Sequence, residues 1–168
     1  WDRKRKVLTL VRDRVGEKPM YYGWQNTSFG NVFIFGSELK AIKSFPELNL
    51  AIDRGSLSLF LSHAYVPCPH SIYEDIFSLE PGEILEVSID DKTSKSKKYW
   101  DVSEVIKNNT VNRFNGTSSD AVKKLESLIT SSVKRQMISD VPLGAFLSGG
   151  IDSSTIVSLM QSQSSKPI

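Results

Sequence analysis

Leu147-Ser148-Gly149-Gly150-Ile151-Asp152-Ser153-Ser154 is the stretch that decides the reading of this chain. An apolar run, Leu143-Gly144-Ala145-Phe146-Leu147, leads into it, and a helical pattern from Thr155 to Met160 follows. The order predicted is buried strand, small-residue loop, helix. Two consecutive glycines let a backbone turn tightly and approach a ligand closely. The start of the next helix offers unpaired N–H groups and the positive end of its dipole, which suits phosphate. Ser148, Ser153 and Ser154 add hydroxyls. No Lys follows the glycines, so this is not the GxxxxGK[ST] loop. Asp152 stands there instead. A carboxylate beside a polyphosphate is repelled unless a hard cation bridges them, so Asp152 implies Mg²⁺. The competing reading is a plain connection with Asp152 or Ser153 as helix N-cap; one carboxylate and two serines are more than a cap needs.

The octapeptide resembles the PP-loop of the ATP pyrophosphatases, which split ATP between its α and β phosphates. The longer stretch Ser139-Asp140-Val141-Pro142 through Ser154 is similar to the segment opening the synthetase domain of glutamine-dependent asparagine synthetases. Three upstream segments resemble the same family, in the same order. Val11-Arg12-Asp13-Arg14-Val15-Gly16-Glu17-Lys18-Pro19-Met20-Tyr21-Tyr22 resembles its RDxxGxxPLYY segment, with Met20 in the place of Leu. Gly36-Ser37-Glu38-Leu39-Lys40-Ala41-Ile42 resembles its SE(L/M)KAL stretch, with Ile42 in the place of Leu, and Ser78-Leu79-Glu80-Pro81-Gly82-Glu83 resembles its (L/V)xPG turn.

The resemblance implies an α+β chain. Residues 1–100 would end a class II, N-terminal-nucleophile glutaminase sandwich, and 101–118 would be a linker. Residues 119–168 would open a Rossmann-like α/β PP-loop domain, helix-strand-loop-helix. The implied activity is that of a carbon–nitrogen ligase: aspartate amidated through an aspartyl-adenylate, with ammonia drawn from glutamine. ATP and Mg²⁺ would be required. Leu147, Ser148, Gly149, Gly150, Asp152, Ser153 and Ser154 would hold ATP and pyrophosphate, Leu147 through its main chain, with Asp152 holding Mg²⁺. The family's glutaminase nucleophile is an N-terminal cysteine, which needs its free α-amine; the chain opens on Trp1, so no glutaminase catalytic residue is assigned. Two alternatives stand beside this reading. One is a relative amidating another carboxylate, such as a sugar acid, or closing a β-lactam. The other is a non-catalytic module with a vestigial ATP site. The family also implies small-molecule partners, a cytoplasmic location and, in many members, a homodimer.

Composition agrees with a soluble enzyme piece. The chain has 168 residues and a formal charge of +2, which implies no nucleic-acid-binding field. No apolar run is long enough to cross a bilayer, and Trp1-Asp2-Arg3-Lys4-Arg5-Lys6 is no signal peptide. The start at Trp1 and the stop soon after the Thr155–Met160 pattern suggest an internal piece of a longer protein. The single cysteine, Cys68, excludes an internal disulfide and points to a reducing compartment. In Val66-Pro67-Cys68-Pro69-His70 it reads as structural, and with His63 and His70 it makes a poor zinc site.

Local patterns predict strands at Val7–Val11, Met20–Trp24, Asn31–Phe35, Ile84–Ile89 and Lys95–Trp100. A hairpin loop is expected at 25–30 and another tip at Asp90-Asp91-Lys92-Thr93. Ser37 would cap a short helix through Lys43. Asp53 would cap a second helix with Leu57, Phe60, Leu61 and Ala64 on one face, closed by Pro67 and Pro69. Residues 101–118, with Asn108, Asn109, Asn112, Asn115 and Gly116, look polar and irregular. From Asp120 to Ile138, Val122, Leu125, Leu128, Ile129, Val133 and Met137 repeat at helical spacing and read as core. Arg12 and Asp13 read as a pair fixing a turn, with Gly16 and Pro19. The lysines between Lys92 and Lys98 read as a solvated hairpin end.

Overall fold

A computed structural model describes residues 1–111 and 113–168. The chain separates into two compact units, Trp1–Thr110 and Val111–Ile168. Mixed helix and strand make it α+β.

The first unit holds two antiparallel three-stranded sheets. One has the order β1 (Val7–Val11), β5 (Glu83–Ser88), β6 (Thr93–Lys98). The other has β3 (Gly30–Gly36), β2 (Tyr21–Thr27), β4 (Phe77–Ser78). Alternation sets the register: Leu8 faces Val87 and Leu10 faces Leu85 across β1 and β5, which puts all four on one face. Leu10, Leu79, Leu85 and Val87 are buried there, and Met20, Tyr22, Trp24 and Phe33 from around the other sheet pack against them. The two sheets therefore share one apolar layer. Trp24 meets Phe33 edge-on at 5.2 Å between ring centroids, a preferred aromatic geometry. On the far face of β2–β3, Ile34, Ile42 and Ile76 form a second cluster under α1 (Leu39–Lys43). The edge strand β6, Thr-Ser-Lys-Ser-Lys-Lys, is exposed throughout; its charges discourage pairing with another chain.

Several boundaries differ from the sequence reading. The expected loop at 25–30 is mostly ladder, because Gln25, Asn26 and Thr27 pair with Val32, Asn31 and Gly30. That leaves Ser28-Phe29 as a two-residue connection. Ser37 does not cap α1; Glu38 precedes the helix without a side-chain cap bond. The return strand runs Thr93–Lys98 rather than 95–100, because Tyr99 and Trp100 turn back to donate their N–H groups to the Gly82 carbonyl. Asp53 does cap α2 (Arg54–His63), accepting from the Ser56 N–H. The helix ends at Ala64, in the left-handed region at φ +62°, before either proline. Its expected apolar face is not buried: Leu57, Phe60 and Leu61 are exposed, and Ser56 is the buried residue.

The largest correction falls on 101–118. Val102–Val111 is a helix, α3. Asp101 starts it, its carboxylate accepting from the Ser103 N–H and its carbonyl from Val105. Val102, Val105 and Ile106 give helical spacing, while Asn109 and Thr110 turn their side chains onto carbonyls one turn back. The asparagines and Thr110 hid an ordinary N-cap and period. Asn112 lies outside the described residues.

The second unit contains α4 (Ser118–Gln136) and α5 (Ile151–Ser162). Thr117 and Asp120 form a reciprocal capping box at the start of α4, and Lys134 and Arg135 occupy its last turn, as the dipole prefers. Gln163 ties the helices together by donating to the Thr130 carbonyl at 3.4 Å. The apolar stripe of α4 is not the core it was expected to be. Val133 is buried, but Val122, Leu125 and Leu128 are exposed. The expected strand at 143–147 carries no ladder, and Phe146 and Leu147 are exposed. A strand is made by its neighbours, and among the described residues none lies beside this one.

Candidate functional site

The candidate loop joins an extended segment to α5. Gly149 has φ +83°, a conformation that side-chain-bearing L-residues rarely adopt. A Cβ built there would meet nothing within 4 Å, so the glycine serves the bend rather than a tight fit. Gly150 is the N-cap of α5 and gives its first turn no side-chain cap. Its carbonyl accepts from the Ser154 N–H at 3.1 Å, which starts the helix. The leading N–H groups of α5 thus face outward at the dipole's positive end.

Hydroxyls organise the bend. Ser153 Oγ donates to the Gly150 carbonyl at 3.1 Å and lies 3.0 Å from Ser148 Oγ. With the Ser153 proton committed to Gly150, Ser148 is the donor of the second bond. Asp152 sits in the first turn, exposed, with no hydrogen bond or ion pair among the described residues. That geometry removes Asp152 and Ser153 as N-caps. Leu147, Ser148, Gly149, Gly150, Asp152 and Ser154 are all exposed, and Ser153 is half-buried. Leu147 is not the buried strand residue that one reading allowed. The sequence missed the Ser148–Ser153 bond, whose only signal was two serines on either side of a Gly-Gly turn.

The donor set suits a magnesium–polyphosphate ligand. Backbone N–H groups and hydroxyls are hard donors for phosphate oxygens, and a free carboxylate is a hard ligand for Mg²⁺. Among the described residues no three His, Cys, Asp or Glu side chains gather into a metal-holding group. Asp152 on its own therefore fits only a cation that the phosphates also hold. In the same unit a cleft of about 560 Å³ is bounded by Met137, the Ser139–Leu143 segment and residues 163–168, with Asp140 on its wall.

In the first unit, Arg12 and Asp13 fix the turn separately rather than as a pair. Arg12 donates to the carbonyls of Lys18, Gly16 and Leu79, at 3.1, 3.1 and 2.6 Å. Its Nη1 also lies 3.3 Å from Cys68 Sγ and 3.4 Å from Ser78 Oγ. Asp13 accepts from the N–H groups of Glu17 and Lys18, which hold its carboxyl below the ordinary value of 3.8. Cys68 thus belongs to the network that closes this turn. His63 Nδ1 contacts the Leu59 carbonyl at 3.1 Å, within its own helix.

Comparison with known proteins follows this division. Residues 1–100 match a glutamine amidotransferase domain, and residues 124–168 match asparagine synthase. The chain therefore belongs to the glutamine amidotransferase and asparagine synthase family. It is 36% identical over 163 residues to a Methanocaldococcus jannaschii protein provisionally named glutamine-hydrolysing asparagine synthetase 2. It is 36% identical over 160 residues to asparagine synthetase 3 of Bacillus subtilis, and 31% over 161 residues to asparagine synthetase 2 of that organism. These alignments take in 96%, 95% and 93% of this chain, but only 30%, 24% and 21% of the relatives. The chain thus spans about a third of their length or less. Among the described residues no helix is long and apolar enough to cross a membrane.

Proposed function

We propose that this chain is part of a glutamine-hydrolysing asparagine synthetase that uses ATP and Mg²⁺ to amidate aspartate. Residues 1–100 would form the later part of its glutaminase domain, a class II sandwich. Residues 101–118 would connect it to a Rossmann-like synthetase domain opening at 119. The observation that carries the reading is the loop itself: a positive-φ glycine, two bonded serines and an uncapped helix start beside an unpartnered Asp152.

In this reading the backbone N–H groups from Ser148 to Gly150 and the first turn of α5 hold phosphate oxygens. Ser148, Ser153 and Ser154 add hydroxyl donors, and the Leu147 main chain lies against the nucleotide. The Ser148–Ser153 bond would preset the loop before ligand arrives, so that its dipoles need little reorganisation. Asp152 would hold Mg²⁺, which when bound offsets the charge of the departing pyrophosphate. Residues 1–168 expressed alone are expected to make no asparagine.

The test is pyrophosphate release by the protein expressed from its complete reading frame, with ATP, Mg²⁺, glutamine and aspartate. Aspartate-dependent release is expected. Asp152→Ala should lower it by at least about a hundredfold, while Asp140→Asn tests the neighbouring cleft. Release that ignores aspartate but answers to another carboxylate would reassign the acceptor. No release with any carboxylate would leave the non-catalytic reading.

A further inference from the structure

A second cleft, of about 390 Å³, opens in the first unit, away from the Gly-Gly loop in sequence. Its walls are two kinds of side chain. Val15, Pro81, Trp100 and Val102 supply apolar surface, and Arg14, Glu80, Lys98 and Asp101 supply charge. Lys98 Nζ lies 2.9 Å from Glu80 and 3.3 Å from Asp101. One ammonium between two carboxylates leaves this cluster with an excess negative charge. Arg14 has no hydrogen-bond or ion-pair partner among the described residues. The rim thus offers a free cation and, separately, an under-neutralised pair of acids.

The cleft is held in shape by backbone. Gly82 has φ +71°, and a Cβ there would collide with the Trp100 carbonyl oxygen. Tyr99 and Trp100 donate N–H groups to the Gly82 carbonyl, and the Tyr99 hydroxyl donates to the Arg12 carbonyl at 2.8 Å. A small, fixed, largely apolar recess with a few converging charges is the usual form of a ligand site.

We propose that this cleft binds a free α-amino acid with an aliphatic side chain. Its carboxylate pairs with Arg14, for which a guanidinium fork is suited. Its ammonium sits against Glu80 and Asp101, and its side chain lies on Trp100, Val15, Pro81 and Val102. Because Asp101 starts α3, occupancy would be felt where the chain leaves the sheets. The assignment does not depend on the ATP reading, and its test contains no nucleotide.

The test is calorimetric titration of the chain with leucine, N-acetylleucine, which lacks the ammonium, and isopentylamine, which lacks the carboxylate. Leucine should bind saturably in the millimolar range, and each analogue should bind at least about tenfold more weakly. Arg14→Gln and Val15→Asp, both at exposed positions, should each weaken leucine by about tenfold or more. Tryptophan emission and circular dichroism of each variant should match the parent, which separates lost binding from lost folding. Absence of saturation with leucine, or equal affinity in the parent and Arg14→Gln, overturns the proposal.

Discussion

The two units of this chain solve the same problem to different degrees. In Trp1–Thr110, strands distant in sequence meet and bury Leu79, Val87, Leu85 and Ile76 almost completely. In Val111–Ile168, only Val133 is buried among the described residues, although the apolar stripe of α4 is as regular as any in the chain. The difference separates what local sequence can build from what it cannot. A helix closes its hydrogen bonds within itself, so a capping box and good periodicity suffice to form one. An apolar face or an isolated strand needs something brought to it.

The comparison can be broken in measurable ways, because the two units report separately. All three tryptophans and all five tyrosines lie within residues 1–100, so tryptophan emission follows the first unit alone. The largest effect belongs to Leu79→Ala, at a fully buried position joining the two sheets. It should cost about 2–5 kcal/mol, seen as a lower denaturation midpoint by tryptophan emission. Retention of the parent midpoint would mean that the shared layer is not what holds the unit. Gly82→Ala comes next, since it meets both a positive φ and the Trp100 carbonyl. A loss of more than about 1 kcal/mol is expected, and Gly30→Ala, with open space at its own positive φ, should cost less.

Acid titration gives a finer comparison. The carboxyls of Asp13 and Asp53 are held below their ordinary value by backbone N–H donors, from Glu17 and Lys18 in one case and Ser56 in the other. A depressed carboxyl contributes stability above its unfolded pKa, and that contribution is lost as pH falls through the folded value. The window therefore lies below about pH 4, and neutral stability should be flat on this account. Asp13→Asn should flatten the acid limb of the tryptophan signal; an unchanged limb would remove Asp13 as a contributor. The smallest effect is expected for Leu125→Ser on the exposed stripe of α4: within about 0.5 kcal/mol, by helical circular dichroism of this chain. A larger loss would show that the stripe is packed in solution.

Much of this was legible in sequence where the signal was local. Asp53 as a cap, the α4 helix, β1 and the Pro81-Gly82 turn each follow from a few adjacent residues, and all appear in the fold. Failures arose where local signals competed or partners decided. Asn and Thr in 102–111 suggested irregular chain, yet Asp101 and the Val102, Val105, Ile106 spacing carried a helix. The ladder through Thr27 could not be read from Asn26, whose turn preference was overruled by pairing with Asn31. At the candidate site, residue types and order gave the loop and the helix after it. They could not give the Ser148–Ser153 bond or the exposure of Leu147.

The empty space around Gly149 has one more consequence. Its need is for handedness alone, since a Cβ of ordinary L configuration built there meets no atom within 4 Å. A mirror-image alanine installed there by chemical ligation should keep the bend that ordinary alanine would resist. Stereochemistry at a single α-carbon thus becomes a dial on the loop, separable from the bulk of the substituent.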